Sequence, residues 1–275
     1  MVNQLEKIAV ISDVHGNLPA LQAVLEDIEG QDCSEIFFLG DLVNGVDPSS
    51  CIQIMHRLQN ISCLKGNAES YVLTPDLENF SRKDDPLYNG LIPLLQWYQS
   101  RLSEEALAWV DHWPDWIIRE RMCFVHDSPL DRISLQSSHP IVDGNPYHEL
   151  ELHSKGITVD MPAADWLSLT NWMDFHAVSQ VLCGHTHKPF YKKLGEKHIC
   201  NVGSIGMPLD GDPRSSWVLV ESQPEREITI HIRRVTYDIE KFLQIIDSVE
   251  DYPSFKTPTR REAYKRTLTT GRFQM

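Results

Sequence analysis

Short apolar runs alternate with amphipathic stretches over the first 65 residues. Residues 7–12 form a β-branched, nearly continuous apolar run, typical of a strand buried on both faces. From Leu18 the apolar residues recur at helical spacing, and Gly30 marks the stop of this predicted helix. The next predicted elements are a strand at 35–39, a helix at about 51–58 and a strand at 61–64. This alternation of strands and helices indicates an α/β layered sheet.

The pattern is less regular in the middle of the chain and turns to strands afterwards. Residues 74–95 mix Pro, Asp and Asn, which favours loops and a short helix. Helices are predicted at 103–113 and 162–175, and a strand pair at 116–119 and 122–125. The later predicted strands are 180–183, 190–194, 198–202, 217–221 and 228–235, followed by helical segments at about 239–249 and 260–267.

We interpret residues 1–275 as one domain with two additions. A polar, proline-punctuated and His-rich segment at about 127–162 is predicted to be an inserted loop or cap. A helical extension is predicted at about 237–275. A chain of this length with 41% hydrophobic residues can bury a core without disulfides or a structural metal.

The charge balance narrows the classes of partner. The chain has 25 basic and 39 acidic residues, a net charge of −14, which argues against sequence-independent binding to duplex nucleic acid. No apolar run is long enough to span a membrane, and the first residues do not resemble a signal peptide. The six cysteines are scattered without a CxxC pair, so we expect reduced core residues in a cytoplasmic protein.

Five short motifs lie at or just after the ends of predicted strands. They are Asp13-Val14-His15, Gly40-Asp41, Gly66-Asn67, His126 and Gly184-His185-Thr186-His187. Ligands bind outside the carboxyl ends of strands in open α/β sheets. The donors are two aspartates, one asparagine and four histidines, a mixture that suits divalent Mn, Fe, Co, Ni or Zn. Seven donors exceed one closed tetrahedral site and suit two ions sharing a bridging carboxylate.

Each of these residues, taken alone, has a structural interpretation. Asp13 could cap a helix, Asp41 could sit in a turn and Asn67 could be an N-cap. His126 could be a core histidine with satisfied hydrogen bonds. His185 and His187 are the least ambiguous, because two histidines two residues apart at a strand end offer both imidazoles to one side.

The ordered motifs resemble those of the calcineurin-like metallophosphoesterases from residue 7 to about 222. The segments 11–18, 201–206 and 210–214, with Tyr237-Asp238-Ile239-Glu240 and Gly271-Arg272, are similar to a branch of small prokaryotic phosphodiesterases. Some relatives in that branch hydrolyse diadenosine tetraphosphate or model diesters. The resemblance implies a four-layer α-β-β-α sandwich of two mixed sheets flanked by helices.

The resemblance also implies a ligand set for two divalent ions. Mn is the first expectation, and Fe, Ni, Co, Zn and Mg are alternatives. One ion would bind Asp13, His15, Asp41 and His187, and the other Asp41, Asn67, His126 and His185. Asp41 would bridge them, and Asp41, Asn67 and His126 would act in catalysis. A hydroxide formed from a water shared by the ions would attack phosphorus in line.

Two positions depart from the family pattern. The family commonly has His after Gly-Asn, where this chain has Ala68, so the group that would protonate the leaving oxygen is missing. The branch often has Arg at the position of Leu209.

Several other residues are weaker candidates. Arg214 could contact a phosphate or pair with Asp210 or Asp212 in a turn. The inserted segment offers possible substrate contacts, although a solvated loop is the simpler interpretation. Its candidates are Arg132, His139, Tyr147, His148 and His153. Glu69 is interpreted as favouring a helix N-terminus. The tryptophans interpreted as core residues are Trp97, Trp109, Trp113 and Trp116.

The leading hypothesis is a dinuclear metal-dependent phosphoesterase that acts on a small phosphodiester or a dinucleotide polyphosphate. The alternatives are a phosphomonoesterase or protein phosphatase, and a non-catalytic scaffold that keeps the fold, as relatives in endosomal coats do. We expect a small phosphate ester or nucleotide as the partner, with no membrane and no duplex nucleic acid. The sequence leaves the oligomeric state open.

Overall fold

The computed structural model of the chain describes residues 6–73, 86–131, 156–222 and 228–274. Within these residues the strands form two five-stranded sheets. The strands are β1 (Glu6–Ile11), β2 (Glu35–Phe38), β3 (Ile61–Cys63), β4 (Trp116–Arg119), β5 (Met122–Val125), β6 (Gln180–Cys183), β7 (Phe190–Leu194), β8 (Lys197–Asn201), β9 (Ser215–Ser222) and β10 (Thr229–Val235). The helices are α1 (Leu18–Glu29), α2 (Pro48–Met55), α3 (Asn67–Val72), α4 (Pro86–Arg101), α5 (Glu104–Asp111), α6 (Ala163–Phe175), α7 (Ile239–Ser248) and α8 (Pro258–Thr270).

Both sheets mix parallel and antiparallel strands. The first has the order β10-β9-β1-β2-β3, in which β1, β2 and β3 are parallel and β9 is antiparallel to both β1 and β10. The second has the order β4-β5-β6-β8-β7, in which β5, β6 and β8 are parallel and the edge strands are antiparallel. The carboxyl ends of parallel strands lie at the same edge of a sheet, and the loops that carry the predicted donors begin there.

The two sheets pack face to face through an apolar layer. Phe37 of β2 stacks on Phe124 of β5 with ring centroids 3.9 Å apart. Along β1, Val10 belongs to this layer, whereas Ala9 and Ile11 face the helices on the other side. Because side chains alternate between the faces of a strand, a strand buried on both faces needs a continuous apolar run. This confirms the interpretation of residues 7–12.

Helices cover both outer faces of the sandwich. The core on the outer face of the first sheet includes residues of α1, α2, α4, α5, α7 and α8. The outer face of the second sheet packs against α6 through Trp166, Leu169 and Met173. The predicted four-layer α-β-β-α sandwich is therefore confirmed. The predicted core role of the tryptophans is also confirmed, because Trp97 and Trp113 are buried and Trp109 and Trp116 pack against the core.

The predicted elements differ from the structure in three places. Residues 74–95 were predicted to form loops and a short helix, and the helix found there, α4, is longer than expected, running from Pro86 to Arg101. Packing explains this helix, because Leu95, Trp97 and Tyr98 are buried in the core despite Pro93 inside the helix. α2 begins at Pro48 rather than near residue 51, because the Asp47 side chain accepts from the Ser50 N–H as its N-cap. The short helix α3 was given no range in the sequence prediction, which indicated only a helix N-terminus near Asn67 and Glu69.

The cysteines and the helices bear on two further predictions. The six cysteines are free and five are buried, as expected of reduced core residues. Among the described residues, no helix combines the length and apolar character needed to cross a membrane. The cytoplasmic location and the bounds of the single domain stay predictions.

Candidate metal centre

Seven predicted donors come from strand ends of both sheets. The loops after β1, β2 and β3 carry Asp13 with His15, Asp41 and Asn67, and those after β5 and β6 carry His126 and His185 with His187. Backbone hydrogen bonds join these loops, including Asp13 N–H to the Gly40 carbonyl at 3.0 Å and Val14 N–H to the Asp41 carbonyl at 3.0 Å. Across the sheets, the His185 N–H donates to Asp13 Oδ2 at 3.0 Å. The sandwich therefore holds these loops as one unit.

Five of the seven donors have left-handed backbone conformations. The φ values are 57° for Asp13, 49° for His15, 64° for Asp41, 67° for His185 and 58° for His187. A non-glycine residue in this region costs on the order of 1–3 kcal/mol and persists where surrounding contacts enforce it. Such strain clusters at functional sites. Here it turns the side chains of consecutive loops toward one point.

The glycines before Asn67 and His185 are required by close packing. A Cβ on Gly184 would lie 2.2 Å from Ser12 Oγ and 2.5 Å from Asp13 Oδ2. A Cβ on Gly66 would lie 2.3 Å from Asp41 Oδ1. All three distances are far below van der Waals contact, so any larger residue would displace a donor carboxylate. The Gly-Asn and Gly-His pairs of the sequence thus have a steric cause.

The first donor group surrounds the buried Oδ1 atom of Asp13. The Nε2 atoms of His187 and His15 lie 3.2 and 3.6 Å from this oxygen, and 3.0 Å from each other. The oxygen has no hydrogen-bond partner in the described part of the chain. A buried carboxylate oxygen without a donor is costly unless a proton or cation neutralises it.

The second donor group centres on Asn67. Its Oδ1 atom lies 3.0 Å from both His126 Nε2 and His185 Nδ1. Asp41 lies between the groups, with Oδ2 3.6 Å from His15 Nε2 and Oδ1 3.5 Å from His126 Nε2. The two oxygens of one carboxylate therefore face different donor groups.

Backbone carbonyls fix the tautomers of two histidines. His126 Nδ1 lies 2.9 Å from the Leu39 carbonyl, and His187 Nδ1 lies 2.7 Å from the Met207 carbonyl. A carbonyl only accepts, so each Nδ1 carries the hydrogen, and in the neutral ring Nε2 presents a lone pair. These lone pairs point at the Asn67 and Asp13 oxygens, which are acceptors too. A cation between such atoms resolves the conflict, and a carbonyl on the second nitrogen is typical of metal-bound histidine. The residues present therefore fit divalent metal ions.

The charges of the buried groups suit cation binding. Burial by itself would raise the pKa of Asp13, but the imidazoles of His187, His126 and His15 hold it well below its usual range. Burial lowers the pKa of His126 despite the nearby carboxylates of Asp41 and Asp13. At His187 burial acts in the same direction, but the Asp13 carboxylate outweighs it and raises the pKa of that imidazole. The site thus keeps Asp13 ionised and His126 neutral, the forms that bind metals, and metal binding would displace any proton on His187 Nε2. His15, Asn67 and His185 are partly exposed, so the site opens to solvent on their side.

Glu69 has a larger role than the sequence prediction gave it. Its buried carboxylate accepts from the backbone N–H groups of Asp41 and Gly66 at 2.7 Å, and of Leu42 and Val43 at 2.7 and 3.1 Å. Burial, with Asp41 nearby, raises the pKa of Glu69 to about 7. Glu69 is the N3 residue of α3, as a capping role predicts, but it also ties the Asp41 loop to the Asn67 loop. The capping role of Glu69 can be predicted from the sequence. Its contact with the Asp41 loop cannot, because the two residues are 28 positions apart.

The structural alternatives for single donors are settled by the capping residues. Asn17, and not Asp13, caps α1 by accepting from the Ala20 N–H. Gly66 is the N-cap of α3, and Asn67 is its first residue. His126 is fully buried, as the core interpretation requires, but its Nε2 faces the donor cluster.

Of the predicted substrate contacts, Arg214 lies in the described part of the chain. The Arg214 guanidinium pairs with both carboxylate oxygens of Asp212, which is the turn alternative. Arg234 of β10 forms a salt bridge with Asp210. The candidates that lie outside the described residues are Arg132, His139, Tyr147, His148 and His153. Most of the inserted segment predicted at about 127–162 lies there too.

Comparison with known proteins places the chain in a family. The family model of the calcineurin-like phosphoesterases matches residues 6–189, a span that contains all seven donors. An uncharacterized protein of Methanocaldococcus jannaschii is 30% identical over 258 residues, which cover 85% of this chain and 89% of that protein.

Two crystal structures share the fold over nearly the whole chain. A metallophosphoesterase from Sphaerobacter thermophilus has 24% identity and a TM-score of 0.66, covering 96% of this chain and 99% of that one. A hypothetical protein from Pyrococcus horikoshii has 18% identity and a TM-score of 0.64, covering 90% and 96%. With the family match and the relative in Methanocaldococcus, these findings show that the chain is a hydrolase of the calcineurin-like phosphoesterase family.

Proposed function

We propose that the protein is a dinuclear metal-dependent phosphoesterase that hydrolyses a small phosphodiester or a dinucleotide polyphosphate. The observation that carries this proposal is the position of Asp41. Its Oδ2 faces His15 and its Oδ1 faces His126, so one carboxylate serves two groups of donors. A single ion would use only one of these faces.

The proposed ligands follow from the two groups. One ion would be held by Asp13, His15, Asp41 and His187, and the other by Asp41, Asn67, His126 and His185. When bound, a pair of divalent ions lowers the pKa of a shared water and neutralises phosphoryl oxygens as charge develops. Oxygen and imidazole donors suit Mn²⁺ among several ions, and Mn²⁺ is the first to test.

The side chains of this protein supply orientation and charge. The Leu39 and Met207 carbonyls hold the imidazoles of His126 and His187 in fixed tautomers. Asn67 contributes a neutral oxygen, which limits the negative charge of a site that already contains two carboxylates. The Ala68 N–H donates to Asp41 Oδ1 at 2.9 Å and fixes the carboxylate plane.

The alanine at position 68 indicates which leaving groups the substrate can have. Ala68 is buried and belongs to the core cluster, and its methyl group cannot donate a proton. Protonation of a leaving oxygen by a general acid is worth about 10²–10⁴ in rate, most for basic leaving groups. This favours esters and anhydrides whose leaving groups depart as anions, such as nucleotides from a polyphosphate bridge.

The test is reconstitution of the chelator-stripped protein with Mn²⁺, followed by metal analysis and a panel of esters. We expect two ions per chain, with kcat/KM at least about tenfold higher for bis(p-nitrophenyl) phosphate or diadenosine tetraphosphate than for p-nitrophenyl phosphate. Asp41→Asn should lose metal and at least about 100-fold in activity, because it weakens both groups. The control is Asp174→Asn, which removes an exposed carboxylate of α6.

Two results would contradict the proposal in different ways. A preference for the monoester would make the protein a phosphomonoesterase. Two bound ions without hydrolysis of any ester would favour a scaffold that keeps the metal site.

A further inference from the structure

The inserted segment returns to the described part of the chain beside the second donor group. It begins after β5, directly behind the proposed ligand His126, and residues 156–162 lead from it into α6. Gly156 and Ile157, the first described residues of this return, are both buried. The segment therefore starts at one proposed ligand of the second ion, and its return can be followed to another.

Gly156 lies against the imidazole of His185. A Cβ on Gly156 would lie 2.9 Å from His185 Cδ2 and 3.0 Å from Thr186 Cγ2. Within the ring, Cδ2 is on the side opposite Nδ1. That nitrogen lies 3.0 Å from Asn67 Oδ1 and 3.2 Å from His126 Nε2. Gly156 thus contacts the edge of the ring that faces away from the second donor group.

Both partners in this contact are fixed by the fold. Ile157 is fully buried in the core cluster between α6 and the second sheet, which holds the backbone of Gly156 in place. On the other partner, Thr186 Oγ1 accepts from Asn201 Nδ2 at 3.0 Å. The same amide donates to the Gly184 carbonyl at 2.6 Å. The loop that carries the histidine is therefore tied to the end of β8 and packs against the return of the inserted segment.

The close approach leaves no room for a side chain at position 156. Gly156 has a φ of 61°, in the left-handed region that favours glycine. Carbon atoms in good contact lie about 3.5–4.0 Å apart, so a methyl group here would overlap His185 Cδ2 by about half an ångström. Since Ile157 and Asn201 fix the surrounding backbone and Thr186, the imidazole is the part that would move. A displacement of about 0.5 Å already exceeds what a preorganised ligand set tolerates.

We infer that Gly156 is a positioning residue for His185, and that the return of the inserted segment thereby sets the affinity of the second ion. This inference rests on the proposed dinuclear function. It gives the inserted segment a role in metal binding, in addition to the substrate contacts predicted from its sequence. The first ion should be unaffected, because His187, the other histidine of this loop, is held separately by the Met207 carbonyl.

Gly195 provides a matched control. It lies in the turn between β7 and β8 with a φ of 62°, and a Cβ there would meet none of the described atoms within 4 Å. Alanine at position 156 or 195 therefore meets the same left-handed backbone strain, and only at position 156 does it also meet His185.

The test is a Mn²⁺ titration of the chelator-stripped wild type, Gly156→Ala and Gly195→Ala by calorimetry. We expect two ions in the wild type and in Gly195→Ala. In Gly156→Ala the first ion should bind as in the wild type, and the second about 10–100-fold more weakly, as for other groups that orient ligands. Electron paramagnetic resonance at two equivalents of Mn²⁺ should show a spin-coupled pair in the wild type and Gly195→Ala, and isolated Mn²⁺ in Gly156→Ala.

Three results would overturn the inference: a second ion bound as tightly by Gly156→Ala as by the wild type, equal weakening of both ions, or the same loss in Gly195→Ala. If Gly156→Ala does not fold, Gly156→Asn and Gly195→Asn replace the two variants, because asparagine adopts left-handed backbone more readily and still carries a Cβ.

A metal-free measurement separates this inference from the proposed function. If the wild type binds fewer than two ions, the dinuclear proposal fails, and crystal structures of the metal-free variants decide. The distance from His185 Nδ1 to Asn67 Oδ1 is 3.0 Å in the wild type. An increase of about 0.5 Å or more in Gly156→Ala, without one in Gly195→Ala, supports the positioning role. An unchanged distance in Gly156→Ala overturns it.

Discussion

At the scale of single residues, the donors are held by partners that a metal-site motif does not include. Asp13 Oδ2 accepts a hydrogen bond from the His185 N–H, so Oδ1 is the oxygen that faces the ring nitrogens of the histidines. Asp41 Oδ1 receives the Ala68 N–H and also faces His126. These contacts orient each carboxylate before any ion binds. Metal binding therefore has to order fewer side-chain torsions, which lowers its entropic cost.

Glu69 is the residue whose loss tests this preorganisation. In Glu69→Gln the amide has one acceptor oxygen, and its NH₂ group would face backbone donors of the Asp41 and Asn67 loops. We expect the free energy of unfolding to fall by about 2–4 kcal/mol, because buried N–H groups lose their acceptor. We expect affinity for Mn²⁺ to fall about 10–100-fold, as for other groups that orient ligands.

Chemical denaturation of the metal-free protein and a Mn²⁺ titration measure the two effects. Glu104→Gln, at an exposed position in the first turn of α5, is the control and should change neither. If Glu69→Gln folds with reduced stability and binds Mn²⁺ as tightly as the wild type, Glu69 only supports the fold and does not position Asp41.

At the scale of elements, an ion pair fastens α1 to the first sheet. Asp27 of α1 accepts from Arg233 Nε at 2.9 Å and from Trp217 Nε1 at 2.8 Å, which join the helix to β10 and β9. The hydrogen bond from Arg233, which outweighs partial burial, holds the pKa of Asp27 below its usual range. A lowered pKa stabilises the fold above the unfolded value of about 3.9, and this contribution is lost as the pH falls through the folded value.

Asp27→Asn should therefore destabilise the protein by about 1 kcal/mol at pH 7, a value discounted for partial exposure. The difference from the wild type should begin to shrink below about pH 4, where the carboxyl of the unfolded wild type takes up a proton, and it should disappear as the pH falls through the lower pKa of the folded state. Urea unfolding at pH 7, 5 and 3.5 measures it, with Asp174→Asn as an exposed ion-pair control. A difference that stays constant over this range would mean that the charge of Asp27 contributes nothing.

Elements were predictable where local pattern and burial agree. β4, β5, β6 and β7 match their predicted ranges, because each is a short apolar or alternating run bounded by turn residues. α4 was not predictable over its full length, since Pro93 and the polar residues before it favour loops while contacts of Tyr98 with Gly45 and Tyr252 stabilise the helix. For α3 the sequence indicated only a helix N-terminus at Glu69, because six residues are too few to show a helical pattern of apolar positions.

At the scale of the whole molecule, the two sheets play distinct parts in the site. The first sheet supplies Asp13, His15, Asp41 and Asn67, and the second supplies His126, His185 and His187. The apolar layer between the sheets, with Phe37 stacked on Phe124, sets their separation. Apolar packing between the sheets therefore contributes to the distance between the two halves of each donor group.

The identities of the donors were predictable, whereas their shared geometry was not. Strand-end placement and residue type are local features, so Asp13, Asp41 and the histidines could be selected from the sequence. The opposite orientation of the two Asp41 oxygens depends on loops from both sheets and needs coordinates. The role of Arg214 could not be predicted, because an arginine that pairs within a turn and an arginine that binds phosphate look alike in a sequence. The structure shows the pair with Asp212.

Anomalous scattering from crystals grown with Mn²⁺ would reveal whether the Asp41 carboxylate joins two metal sites. We predict two anomalous peaks, one among Asp13, His15 and His187 and the other among Asn67, His126 and His185, with Asp41 bound to both. A single peak, or two peaks of which only one contacts Asp41, would contradict the dinuclear site.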